Sequence, residues 1–422
     1  MTSLALALVA SMATASSATP CCSGHEDWRA DLPADVRAIV ARVDAQEQVK
    51  PGETTAGNFE NAQHEKDVKA DIEMGRKYSA EVDKQLKASE KIDQIERLQR
   101  IGRELSVIAN EDKVEVLWGD KRLNPFPYSF HLVEGKDVNA FSMPGGYIYF
   151  YEGLLDYCES DDELAGVVAH EIAHAAFRHV ATLRKESQKF DLLQVPLLIA
   201  AIITGNSDIM AASQAAGFTA QAYTSAWSVK AETASDYGAI QYMGKSKYNP
   251  VGVLTFMERL AYRDRSGPQI DWGIYKTHPP SKERAEFIQT ELREAGIPIL
   301  RSKVSTSLAA KTDIDDNNAL VLRFGTLTLH KFRGDGAIDR AEDAVLRLNR
   351  FFDTVPAVYE VTRSGARILG NGRVLFEVKP EDLESGHDLD AGVAETLKQM
   401  RSAVFDLNYR LWNQKDVGLA VR

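Results

Sequence analysis

The chain has 422 residues, 44% of them hydrophobic, and a formal net charge of −11. That length allows two or three domains with a sizeable core, and the acidic balance argues against a nucleic-acid binder. Three cysteines are too few for a disulfide scaffold.

Residues 4–12 form a short apolar run, followed by Ala13-Thr14-Ala15 and Ser16-Ser17-Ala18. The segment 1–20 therefore reads as a signal peptide with A-x-A-type cleavage options, too short to span a membrane. It predicts export to the periplasm or cell envelope. It lacks the usual charged start, because no Lys or Arg precedes Arg29. Cys21-Cys22 offers a lipid-attachment point, although Pro20 stands where a small residue is expected; a disulfide to Cys158 is another use for these thiols. Residues 21–60, with Pro33 and Pro51-Gly52, read as a lead-in.

From 61 to 110 the pattern turns helical and charged. Ile72, Tyr78, Val82 and Leu86 mark one amphipathic stretch, and Ile95, Leu98, Ile101 and Leu105 a second. Residues 128–132 and 147–151 read as strands, the latter alternating after the turn Pro144-Gly145-Gly146. Asp161-Asp162-Glu163 then places acidic residues in the first turn of a helix, where the dipole favours them. Cys158, just before it, reads as a packed core residue.

That helix carries Val167-Val168-Ala169-His170-Glu171-Ile172-Ala173-His174. Histidines at i and i+4 share one face, so both rings can reach one metal about 2.0–2.1 Å from each nitrogen. Glu171 projects from the flank, where it can take the proton of a water on the metal without binding the metal itself. The helix is apolar all round, unlike a surface helix. A catalytic zinc takes three protein ligands as a rule, and Glu232-Thr233-Ala234-Ser235-Asp236 supplies two more acids at i and i+4, opening an apolar helical run. Glu232 is assigned to the metal and Asp236 to orienting one histidine; a solvated acidic face is the alternative.

With these motifs the chain resembles the zinc metallopeptidases that include HtpX, BepA and the CAAX prenyl proteases. They share HExxH followed by a Glu-x-x-Ala-Asp element, which here has Ser235 in place of the alanine. The resemblance to the soluble, BepA-like branch runs from about Lys66 to about Arg284. It includes Asn139-Ala140-Phe141-Ser142-Met143-Pro144-Gly145-Gly146. It implies His170, His174 and Glu232 as ligands of one Zn2+, Glu171 as base, the helices of 61–110 as a cover, and the 139–150 segment beside the active site. An exposed edge at Asn139, Ala140 and Phe141 would bind peptide by strand addition; a plain core hairpin is the other reading.

Further along, 192–204 is the most apolar stretch, interrupted by Pro196 and too short to span a membrane. It reads as a core helix, a cleft wall or a peripheral membrane contact. Residues 211–224 read as a lid. Asn249-Pro250 starts a helix with Val253, Phe256, Met257 and Leu260 on its apolar side. His278, in Thr277-His278-Pro279-Pro280, and Arg284 are candidates for a fourth ligand or a transition-state stabiliser; the resembled family carries a comparable His-Pro element with a downstream arginine.

The character changes near residue 300. Residues 319–329 read as one or two strands, 338–352 as a helix, 357–362 as a strand, 374–378 as the second strand of a hairpin after Gly370-Asn371-Gly372, and 391–412 as a long helix. No metal spacing or nucleophile constellation is visible there, and His330 and His387 stand isolated. A protein partner in the envelope is the expected role of this part.

The predicted fold class is α+β: a mainly helical zincin-type metallopeptidase domain over 61–300 with a small β-sheet beside the active-site helix, plus a small C-terminal α/β module over 301–422. The expected function is zinc-dependent endoproteolysis of polypeptides, misfolded or unassembled envelope proteins on the strength of the resemblance. An envelope chaperone with a latent or structural zinc site is the alternative.

Overall fold

The computed structural model describes residues 59–186, 226–266, 282–315, 319–384 and 386–411. The expected leader, Cys21 and Cys22, the stretches 192–204 and 211–224, and His278 lie outside these described residues.

The first described helix, α1 (Ala62–Val82), is capped by the Asn61 side chain, which accepts from the His64 backbone N–H. Its buried row is His64, Val68, Asp71, Gly75, Ser79 and Val82, whereas Ile72 and Tyr78 are only half-buried. Of the expected stripe, Val82 is buried and Tyr78 and Leu86 pack against its cluster, while small and polar residues fill most of the rest of the buried row. The reason is a close approach to backbone: a Cβ on Gly75 would stand 1.9 Å from the Pro144 carbonyl oxygen. By contrast α2 (Ile92–Glu111) buries Leu98, Ile101, Leu105 and Ile108, as its 3.6-residue period demands.

Strands β1 (Ser129–Val133), β2 (Ala140–Met143) and β3 (Tyr147–Tyr151) form a sheet in the order β1-β3-β2. β3 runs parallel to β1 and antiparallel to β2, with Phe141 opposite Tyr149. Ala140, Ile148 and Phe150 face the main core. Phe141, Met143, Tyr149 and Tyr151 face the other way and pack with Val82 of α1. The sheet is therefore sandwiched, as alternation along a strand requires.

After the short α3 (Glu152–Tyr157) comes α4 (Asp161–Ala176), whose cap Ser160 accepts from the Glu163 N–H. Its three leading acids do more than meet the helix dipole. Asp161 pairs with Arg97 and Arg100 at 2.6 Å, buried Asp162 accepts from the Asn249 N–H at 2.8 Å, and buried Glu163 meets Arg259 at 2.5 Å. Leu164, Val168, Ala169, Ile172 and Ala173 are fully buried. Cys158 is a buried thiol in the same core.

Arg178, with φ 50°, breaks the chain away into α5 (His179–Glu186). α6 (Ala226–Gly244), α7 (Val251–Ser266) and α8 (Lys282–Glu294) complete this core. α6 begins six residues before Glu232, so Glu232 lies in its second turn and does not open the helix.

A separate hydrophobic core gathers residues from Leu308 to Leu411. It is built from β4 (Ala310–Ile314), β5 (Leu320–Phe324), β6 (Leu327–Phe332) and α9 (Ala337–Asp353), then β7 (Val361–Ser364), β8 (Arg367–Gly370), β9 (Arg373–Glu377) and α10 (Leu389–Arg410). Three strands and a helix thus occur twice, each sheet an antiparallel meander. β4 escapes sequence reading because its Lys311, Thr312 and Asp313 give no apolar alternation. The strand expected over 357–362 is corrected: Val358–Glu360 is a 3-10 turn, and the strand follows it. His330 is buried, with Nε2 3.2 Å from Asp382. Where the two cores meet, buried Arg301 holds Glu258 in a bidentate pair at 2.7 and 2.8 Å. Among the described residues no helix is long and apolar enough to cross a membrane.

Candidate metal centre

One turn of α4 separates His170 from His174, and their Nε2 atoms lie 3.0 Å apart. α6 packs against α4 and brings Glu232 across: Oε2 is 3.3 Å from His170 Nε2, and Oε1 is 3.3 Å from His174 Nε2. Each of the three residues offers one ligand atom, and these atoms lie within 4.8 Å of one another. Ligand atoms about 2.0–2.1 Å from a tetrahedral ion are roughly 3.4 Å apart, so this cluster is close to the size zinc requires. Two imidazoles and a carboxylate also match a catalytic zinc donor set, which keeps a position for water.

Behind this cluster sits a charged pair. Asp236 Oδ1 is 3.0 Å from His170 Nδ1. Arg284 from α8 donates Nε to Asp236 Oδ2 and Nη2 to Oδ1, both at 2.8 Å, and its Nη1 lies 3.1 Å from Glu232 Oε2. Burial alone would raise the Asp236 pKa, but the Arg284 charge and hydrogen bonds outweigh it and hold the carboxyl below its usual range. An ionised Asp236 accepts the His170 Nδ1–H, which leaves Nε2 turned to the metal position. In the metal-free protein burial opposes a charged His170, yet Asp236 and Glu232 outweigh it and raise the ring to about 9. Metal binding below that pH must displace a proton. Arg284, a sequence candidate for transition-state stabilisation, is thus brought to the centre as the ion-pair partner of two acids.

Glu171 is buried beside His170 and stands outside the three-residue cluster. With His170, Asp236 and Arg284 it lines a hollow whose apolar wall is Val167, Val253, Phe256, Met257 and Leu260. Asn139 is buried, and its carbonyl accepts from the Tyr151 N–H at 3.0 Å. Ala140 and Phe141 lie on β2, which among the described residues is an edge of the sheet and against which α4 packs.

One residue of the site was missed in the sequence. His179 is buried with its Nδ1 2.9 Å from His174 Nδ1 and its Nε2 3.0 Å from the Trp118 carbonyl. Burial pushes the His174 ring well below its ordinary pKa and His179 down to about 4. The only signal was a histidine five residues past the second ligand, which no helical spacing places on the same face.

Residues 107–292 match the model for Peptidase family M48. Over this stretch the chain is similar to the M48 metallopeptidases. The match runs from within α2 nearly to the end of α8 and takes in His170, Glu171, His174, Glu232, Asp236 and Arg284. The chain is 29% identical over 177 residues to mitochondrial metalloendopeptidase OMA1 of Schizosaccharomyces pombe, covering 42% of this chain and 50% of that one. It is 29% identical over 175 residues to metalloprotease LoiP of Escherichia coli, covering 42% and 67%. It is 28% identical over 162 residues to the beta-barrel assembly-enhancing protease of Escherichia coli, covering 36% and 30%. The chain therefore spans between about a third and two-thirds of the length of these relatives.

Proposed function

We propose that this protein is a zinc-dependent endopeptidase of the cell envelope, acting on misfolded or unassembled proteins. The observation that carries this reading is the convergence of His170, His174 and Glu232 within one ligand-sized cluster, in the stretch similar to the M48 metallopeptidases. When bound, zinc supplies a Lewis acid for the scissile carbonyl and lowers the pKa of a water. Glu171 takes the proton of the attacking water and delivers it to the leaving amine. Asp236 and Arg284 hold His170 in the productive tautomer. His278 stays a proposed fourth ligand or transition-state donor on its His-Pro sequence context.

Substrate would lie as an added strand along β2, at Asn139, Ala140 and Phe141. The side chains of Ala140 and Phe141 are buried, so recognition there falls to the backbone, which ignores sequence. The apolar hollow beside Glu171 favours an apolar side chain next to the scissile bond. Export rests on the apolar run of residues 4–12 and on the similarity to the beta-barrel assembly-enhancing protease. The division into a catalytic unit over 61–300 and a partner-binding unit over 301–422 is supported by the two separate cores.

The test is cleavage of unfolded casein by purified protein of known zinc content. Cleavage lost on chelation and regained with zinc, and absent with zinc in both His170→Ala and His174→Ala, is the expected result. Zinc-bound wild type that cleaves no unfolded polypeptide would favour an envelope chaperone.

A further inference from the structure

We propose that His179 is a positioning residue that fixes the tautomer of the ligand His174, through a neutral relay ending on the Trp118 carbonyl. The proposal rests on the metal-centre reading of His170, His174 and Glu232, but its key feature can be read without metal.

The proton arrangement follows from the far end of the relay. His179 Nε2 lies 3.0 Å from the Trp118 oxygen. A carbonyl only accepts, so Nε2 carries the hydrogen. The ring is 2% exposed and sits between the Trp118 and Phe177 rings, 5.1 and 5.8 Å away. A charged imidazolium is penalised in such a site, so Nδ1 keeps its lone pair. Across the 2.9 Å contact between the two Nδ1 atoms, His174 must therefore donate. Its Nε2 is left with a lone pair, directed at His170 Nε2 and Glu232, as a metal ligand requires.

The chain supports this relay at both ends. Arg178, with φ 50°, turns the backbone after α4 so that the His179 ring folds back on His174. The Trp118 carbonyl is held by a loop pressed on the end of α4: the Asp120 N–H donates to the Phe177 carbonyl at 2.7 Å. Gly119 has φ 122°, and a Cβ there would stand 2.5 Å from the Phe177 oxygen and 3.1 Å from His179 Cδ2. Only glycine fits that position. Ser235, between Glu232 and Asp236, places its hydroxyl 3.5 Å from His179 Nδ1, on the same lone-pair side.

The two histidine ligands are thus oriented by different chemistry. His170 faces a carboxylate neutralised by Arg284; His174 faces a neutral ring that ends on backbone. A second buried anion at His174 would need a second buried cation, and the relay removes that need.

The experiment combines nitrogen-15 NMR of the metal-free protein with zinc competition against a chelator, for wild type, His179→Ala and His179→Gln. Expected is an Nδ1–H tautomer for His174 in wild type, and zinc affinity about 10–100-fold weaker in folded His179→Ala. The His179→Gln amide can accept from His174 and donate to Trp118, so most of the affinity should return. An Nε2–H tautomer at His174 in wild type, or folded His179→Ala binding zinc as tightly as wild type, would overturn the proposal alone. Wild type that binds no zinc would overturn the metal-centre reading and the role of His179 with it.

Discussion

Arg284 meets Asp236 edge to edge, with Nε–Oδ2 and Nη2–Oδ1 both at 2.8 Å, while its remaining nitrogen lies 3.1 Å from Glu232. All three side chains are almost fully buried. Arg284→Ala would strand two buried carboxylates, a change that costs about 3–5 kcal/mol for a broken buried pair. It should also weaken zinc binding about 10–100-fold by loosening His170 and Glu232. Arg284→Lys should restore little, because an ammonium cannot reproduce the planar fork. Urea unfolding and chelator competition on the same three proteins check both parts.

Gly75 should resist replacement by alanine. In an ordinary helix interior that exchange gains about 1 kcal/mol. Here the new methyl would meet the Pro144 carbonyl at 1.9 Å and the Tyr147 ring at 2.6 Å. A net loss of about 1–3 kcal/mol is expected, with α1 lifting from the sheet. Thermal unfolding reads the loss, and limited proteolysis within residues 62–82 reads the lifting.

Acid should loosen the hold of the Asp120 loop on the end of α4. Arg178 joins Asp71 of α1 at 2.6 Å and Asp120 at 2.9 Å, and Arg122 joins Asp120 and Asp67. Burial works to raise the Asp120 pKa, but hydrogen bonds from Arg122 and Arg178 outweigh it and lower it to about 2. A carboxyl lowered in the folded state stabilises above its unfolded value of 3.8 and loses that contribution as pH falls through about 2. Discounted for solvent screening at this half-buried site, the contribution is on the order of 1 kcal/mol. Stability measured by urea unfolding should fall between pH 4 and about 2, and Asp120→Asn should flatten that slope.

What could be read in the sequence was what is local in it. His170, Glu171 and His174 lie within five residues, and Glu232 and Asp236 within another five, so helical spacing groups each set, while only the packing of α6 on α4 brings the two sets together. Arg284 was visible as a candidate, but its partner Asp236 is 48 residues away, and only packing of α8 on α6 brings it to Asp236 and Glu232. His179 was invisible because the break at Arg178 cancels helical spacing just before it. On α1 the apolar end, Tyr78 and Val82, was legible, but the close approach at Gly75 was not, because it is set by the backbone of a distant turn that hydrophobic periodicity does not record.

The most direct measurement of the central claim is casein cleavage by wild type against Glu171→Gln, with the zinc content of both quantified. The amide keeps the shape of the carboxylate but cannot take the water's proton. Equal zinc and a rate lower by about 10²–10⁴-fold in the variant are expected. Cleavage by Glu171→Gln at the wild-type rate, with equal zinc, would contradict the role of Glu171 as base.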